Sequence, residues 1–123
     1  MVVKQSPRSV EDTVSRLVGI VEGKGLTVFA VFDHSGAAAE HGLELRDTKV
    51  VVFGSPVAGT PVMDAVPEAA LDLPLKVLVY AADNGTKVVY TAPAELGERY
   101  GLSDELAARL AGIDALTDAL VAP

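Results

Sequence analysis

The chain has no cysteine among its 123 residues, which excludes a disulfide framework, a thiol nucleophile, a thiolate zinc site and a cysteine-ligated iron–sulfur cluster. It is equally poor in concentrated positive charge. Acidic residues outnumber basic ones by 17 to 10, the net charge is −7, and no stretch gathers Lys and Arg into a stripe that would attract a phosphate backbone. Nucleic acid is therefore not an expected partner. No apolar run approaches the roughly 18 residues needed to span a bilayer, and Met1-Val2-Val3-Lys4-Gln5-Ser6-Pro7 lacks the apolar stretch of a secretory signal. The expectation is a cytoplasmic protein with no membrane partner.

Half of the residues are hydrophobic and 22% are charged, a globular balance in a chain of single-domain length. A single domain over residues 1–123 is expected. After Ser9, a good N-cap, Val10, Val14, Leu17, Val18 and Val21 recur at helical spacing until Gly23 and Gly25. Residues 26–33, 49–53, 76–81 and 87–91 are of strand length and rich in β-formers, and residues 2–5 read as a short edge strand before Pro7. Asp83-Asn84-Gly85-Thr86 predicts a hairpin through a type I′ turn, which needs positive φ at both central residues. Short helices are expected over residues 37–43 and 61–66, another from Pro93 to Gly101, and a final one over about residues 104–121, capped by Ser103. The fold class is α+β.

Val50-Val51-Val52-Phe53 and Val77-Leu78-Val79-Tyr80-Ala81 are apolar throughout rather than alternating, so both faces of the sheet should be covered. The predicted helices suffice for one face. A twin subunit is the favoured cover for the other, and an apolar pocket is the alternative.

His34 and His41 are the only histidines, and at seven positions apart on a helix they would lie about 10 Å apart along the axis, too far for one ion. No metal site is expected. Asp33-His34 offers an acid–base pair and Ser55 a nucleophile, although Ser55 lacks the Gly-x-Ser-x-Gly elbow of a hydrolase. Gly54-Ser55-Pro56-Val57-Ala58-Gly59-Thr60 has the glycine spacing of a phosphate-binding loop, but Thr60 stands where lysine is needed, and Pro56 and Pro61 remove amide donors. Nucleotide hydrolysis is disfavoured. The segment reads either as a ligand loop before a helix or as a tight turn with Thr60 as the N-cap. Lys76 heads a strand, Tyr80 and Tyr90 carry polar tips on apolar bodies, and Met63 reads as a core filler.

Phe32-Asp33-His34, Ala37-Ala38, Gly42, Phe53-Gly54-Ser55-Pro56, Gly59-Thr60, Met63 and Leu71-Asp72-Leu73-Pro74-Leu75-Lys76 form an ordered series. That series resembles the family called domain of unknown function 302, over about residues 9–101. Ser55 departs from it, standing where the family's phenylalanine-glycine-asparagine-proline motif has Asn. The resemblance implies a TATA-binding-protein-like fold, β-α-β(4)-α, with a mainly antiparallel sheet, helices packed on it and frequent pairing into dimers. It implies no reaction, and a shared fold does not transfer nucleic-acid binding.

The expected role is a small binding or sensory domain, homodimeric, holding an undefined small ligand near Asp33, His34, Ser55, Gly59, Thr60 and Lys76. The alternative is a dimeric interaction module in which the same residues only set turns. An acid–base enzyme built on Asp33 and His34 ranks third, and the sequence specifies no cofactor.

Overall fold

The computed structural model describes residues 1–123. Five strands, β1 (Val2–Ser6), β2 (Thr27–Asp33), β3 (Thr48–Gly54), β4 (Leu75–Ala82) and β5 (Gly85–Tyr90), form one sheet in the order β1-β5-β4-β3-β2. Every pairing is antiparallel. Strands β2 to β5 follow one another as a meander, so β1 closes the far edge beside β5 only because the helix after it carries the chain across the whole sheet. That helix is α1 (Val10–Gly23), and the Ser9 hydroxyl accepts from the Asp12 amide at 3.0 Å to start it. Gly25, at a φ of 73°, lets the chain reverse into β2.

The main core lies between the sheet and α1 with α6 (Gly112–Val121). Leu17 and Val21 from α1, Val51, Val77, Val79 and Val88 from the strands, and Leu120 from α6 are all fully buried. Lys4 ties the edge strand to that layer: its Nζ donates to Thr117 Oγ1 at 2.7 Å and the Asp114 carbonyl at 3.1 Å, and lies 2.8 Å from an Asp118 carboxylate oxygen. Burial pulls the Lys4 pKa down, but its bonds to Asp118 and Tyr90 outweigh that and leave it raised. A second, smaller cluster of Val62, Ala69, Leu96 and Leu110 joins α3 (Pro56–Ala65), a 3-10 turn over Pro67–Asp72, α4 (Pro93–Tyr100) and α5 (Asp104–Ala108), and Leu75 packs against both clusters. Asp72 fastens the 3-10 turn to α4, accepting from Arg99 Nη1 at 2.8 Å and from the Tyr100 hydroxyl, and these bonds hold its carboxyl below the usual range.

The α+β class and the antiparallel sheet are as the sequence implies, with additional short helices inserted in the β-α-β(4)-α outline. Four local expectations are corrected. Residues 37–43 do not form the second helix: α2 runs over His34–Glu40 because Asp33 caps it from the end of β2. The helix placed at residues 61–66 instead begins at Pro56, with Ser55 as N-cap and Pro61 in its interior. Thr60 is therefore a mid-helix residue and not a cap. The hairpin between β4 and β5 forms, but its turn is not type I′: Ala82 pairs with Gly85, no non-glycine residue has positive φ, and Gly85 alone takes it, at 124°. The final helix is broken at 109–111, which lets Leu110 serve the second cluster while Ile113, Leu116 and Leu120 serve the first.

The expectation that both faces are covered holds for one face within a single chain. Register places Phe32, Val50, Leu78, Val89 and Val3 directly across from one another on all five strands, on the face away from α1 and α6. None of the five belongs to either buried cluster; Val89 is buried and Val50 and Leu78 are half-buried among their neighbours, while the end members Phe32 and Val3 are 53% and 55% exposed.

Candidate functional site

The segment after β3 shows why it is not a phosphate cradle. The Ser55 backbone is extended (φ −123°, ψ 120°), its hydroxyl accepts weakly from the Ala58 amide at 3.4 Å, and its carbonyl accepts from Ala58 at 3.1 Å and Gly59 at 2.8 Å. Pro56 has no N–H to offer. Of the first-turn amides that would face an anion, Val57 alone is uncommitted, so the ligand loop expected for Gly54–Thr60 is in fact the capped start of a helix.

The same segment instead walls a cavity of about 420 Å³. Five parts of the fold converge on it: Leu26 and Phe29 from the start of β2, Phe53 from β3, Ser55 to Met63 from the cap and body of α3, Leu73 to Leu75 before β4, and Arg109 to Leu116 from the α5–α6 junction. β2 and β3 pair with a register shift between Val28 and Ala30, the mark of a bulge, and Phe29 sits in that irregularity, half-exposed beside the cavity. The lining is mainly apolar, and its polar groups are the Ser55 and Thr60 hydroxyls and the side chains of Lys24 and Arg109.

The expected site residues separate into three places. Ser55, Gly59 and Thr60 line this cavity. Asp33 and His34 lie at the other end of β2, about 20 Å away along the strand, because Gly54 pairs with Thr27 at the near end and Lys49 with Asp33 at the far end. Lys76 pairs with Val52 and so belongs to the opposite face of the sheet. The six do not make one site.

At the far end, Asp33 Oδ1 accepts from the Gly36 amide at 2.9 Å and from Ser35 Oγ at 3.0 Å, and these bonds, the amide first, lower its pKa. Ser35 Oγ in turn accepts from the Thr48 amide at 3.1 Å, fastening α2 to β3. His34 is exposed and its side chain makes no hydrogen bond, so Asp33 orients the first turn of α2 rather than an imidazole. A wider, open depression of about 690 Å³ beside Asp33 is lined by both acids and bases, including Glu44, Arg46, Asp47 and Lys49. No group of three or more His, Cys, Asp or Glu side chains comes together.

Sequence reasoning found one wall of the cavity and missed the other. Phe29, Lys24, Arg109 and the Leu110–Leu116 face reach it only through the fold, and the sole local signal was Gly112 inside an apparently continuous final helix, which marks the junction where that wall forms.

Comparison with known proteins places this geometry in a family. The chain is 36% identical over 111 residues to the "Fluoride-specific ion channel FluC 1" of Brucella suis biovar 1 (strain 1330), covering 87% of this chain and 43% of that protein. It is also 36% identical over 111 residues to the protein of the same name from Brucella abortus biovar 1 (strain 9-941), of which it covers 41%. The chain thus spans less than half the length of the curated relatives it matches. No helix of the chain is long and apolar enough to cross a membrane. Among solved structures, an uncharacterized conserved DUF302 protein from Bacillus stearothermophilus superposes with a TM-score of 0.81 at 20% identity, over 98% of this chain and 94% of that one. The sequence pattern of the family described as domain of unknown function DUF302 matches residues 2–120, and the chain belongs to that family.

Proposed function

We propose that this chain is a small-molecule binding domain whose site is the apolar cavity beside α3. The observation that carries the reading is the cavity itself: about 420 Å³, within the usual size of ligand sites, apolar over most of its wall, with a few polar groups at defined places. Its walls come from five separate elements, so occupancy would stiffen the whole domain, as a sensory role requires. Ser55, Gly59 and Thr60 belong to the site, whereas Asp33, His34 and Lys76 have no part in it. The channel role stays with the longer Brucella proteins, and the segment they share with this chain is the one proposed to bind a ligand.

Gly59 provides the test. A Cβ at this position would meet only Met63 Cε, at 3.8 Å, so Gly59→Leu should fold and place its side chain in the cavity. Ten-carbon probes, as alcohol, carboxylate and amine, are titrated by calorimetry into both proteins. Heat from at least one probe with wild type, lost in the folded variant, supports the reading; no heat from any probe, or unchanged binding in Gly59→Leu, rejects it.

The second reading, a homodimer through the open face of the sheet, is supported by the apolar row Phe32–Val50–Leu78–Val89–Val3. It is compatible with the first, because the cavity lies on the helical side. Light scattering on the wild type should give the mass of two chains, and the double variant Phe32→Glu/Val3→Glu, altered only at half-exposed positions, the mass of one. A monomeric wild type at tens of micromolar would dismiss it.

A further inference from the structure

The charge of the cavity narrows the class of ligand, an inference that rests on the proposed binding role. The chain has 17 acidic residues, yet none lines the cavity, while two of its 10 bases do. These are Lys24, just beyond the end of α1, and Arg109, just beyond the end of α5. Of the other eight, Lys4, Arg46 and Arg99 sit in ion pairs, Arg8 and Arg16 donate to carbonyls at the end of α6, and Lys87 donates to Gln5, while Lys49 and Lys76 are unpaired but lie away from the cavity, at the Asp33 end of the sheet and on its opposite face. Lys24 and Arg109 have neither an ion pair nor a side-chain hydrogen bond, and both are exposed at the rim of an otherwise apolar wall.

We infer that the cavity takes an amphipathic organic anion: an apolar body of modest length, seated against Phe29, Phe53, Met63 and Leu116, with one anionic head at the rim between Lys24 and Arg109. The volume limits the body. At about 30 Å³ for a group the size of a water molecule, 420 Å³ corresponds to about fourteen heavy atoms, which suits a medium-chain carboxylate. The acidic surface elsewhere repels the same anion, so the two rim cations are also what admits it. Arg109 matches a carboxylate in two-point geometry, and Lys24 adds a point charge.

The test uses decanoate, decan-1-ol and decylammonium, which share a chain and differ in head charge, titrated by calorimetry into the intact chain at low and moderate salt. Decanoate should bind most tightly and decylammonium least, with the decanoate preference shrinking as salt rises. Lys24→Gln and Arg109→Gln, at exposed positions that leave the fold in place, should each weaken decanoate about fivefold, the upper end for one exposed ion pair, and leave decan-1-ol unchanged. Equal affinity for decanoate and decan-1-ol, or decanoate binding untouched by both variants, overturns the charge inference while leaving the cavity as the binding site. Absence of binding by all three probes overturns the cavity role itself.

Discussion

Glycine-to-alanine substitution separates what the cavity helix and the capped helix each need from their glycines. Gly59 lies in the body of α3 with a right-handed backbone, so Ala there removes the conformational cost of a helical glycine, about 0.8 to 1 kcal/mol. The added methyl makes an ordinary contact with Met63 Cε at 3.8 Å and enters the cavity without displacing anything. The net expectation for Gly59→Ala is a gain of about 0.5 to 1 kcal/mol, or roughly 2 to 4 °C in Tm for a chain of this length. Gly36→Ala is the matched contrast. A Cβ at residue 36 would lie 2.8 Å from Asp33 Cγ, so the carboxylate that caps α2 must swing away and give up its bonds to the Gly36 amide and Ser35 hydroxyl. Its Tm is expected at or below that of the wild type. Urea titration and differential scanning calorimetry of the three proteins at pH 7 measure both changes. A fall in stability for Gly59→Ala, or a rise for Gly36→Ala equal to that for Gly59→Ala, would refute the placement of these residues and the open space assigned beside α3.

Two further outcomes follow from charged contacts outside the cavity. Asp72 has a depressed pKa in the folded chain, so its contribution is complete above the unfolded value of 3.8 and is lost as pH falls through the lower, folded value. Asp72→Asn should therefore lower the urea midpoint at pH 6 and differ little from wild type once the pH is below the folded pKa; a constant difference across the acid range would contradict the assignment. Lys4→Met removes the tie from β1 to Asp114, Thr117 and Asp118 of α6, at a side chain only 17% exposed, and should cost about 1 to 2 kcal/mol. Hydrogen exchange should accelerate first in β1, and uniform acceleration across the sheet would argue against a local clamp.

Much of the fold was legible because it rests on local rules. The Val10-to-Val21 periodicity, the Ser9 and Ser103 caps, the apolar strands and the Gly101 stop all correspond to elements whose physics is confined to a few neighbouring residues. The errors share one cause: where two rules compete, packing chooses. Pro56 and Pro61 are both suited to a first helical turn, and the Ser55 cap settles the start at Pro56. Asn84-Gly85 favours a type I′ turn by composition, but the pairing of Ala82 with Gly85 shifts the tip by one residue.

The candidate site was legible only in halves. Ser55, Gly59 and Thr60 stand out in the sequence because glycine, proline and hydroxyl residues cluster after a buried strand, and that cluster does form one wall of the cavity. Asp33 and His34 looked like partners of that loop because the pair and the loop each follow a strand, yet antiparallel pairing puts the C-terminal ends of successive strands at opposite ends of the sheet. By itself the sequence determined the α+β class, the excluded thiol chemistry and the main helices and strands, since composition and short-range periodicity suffice for those. The tertiary structure alone decided that Lys24 and Arg109, 85 positions apart, share a cavity free of carboxylates, and that the row from Phe32 to Val3 falls outside both buried clusters with its two ends exposed. Both depend on which distant residues the register and the broken final helix bring together, and no local pattern encodes that.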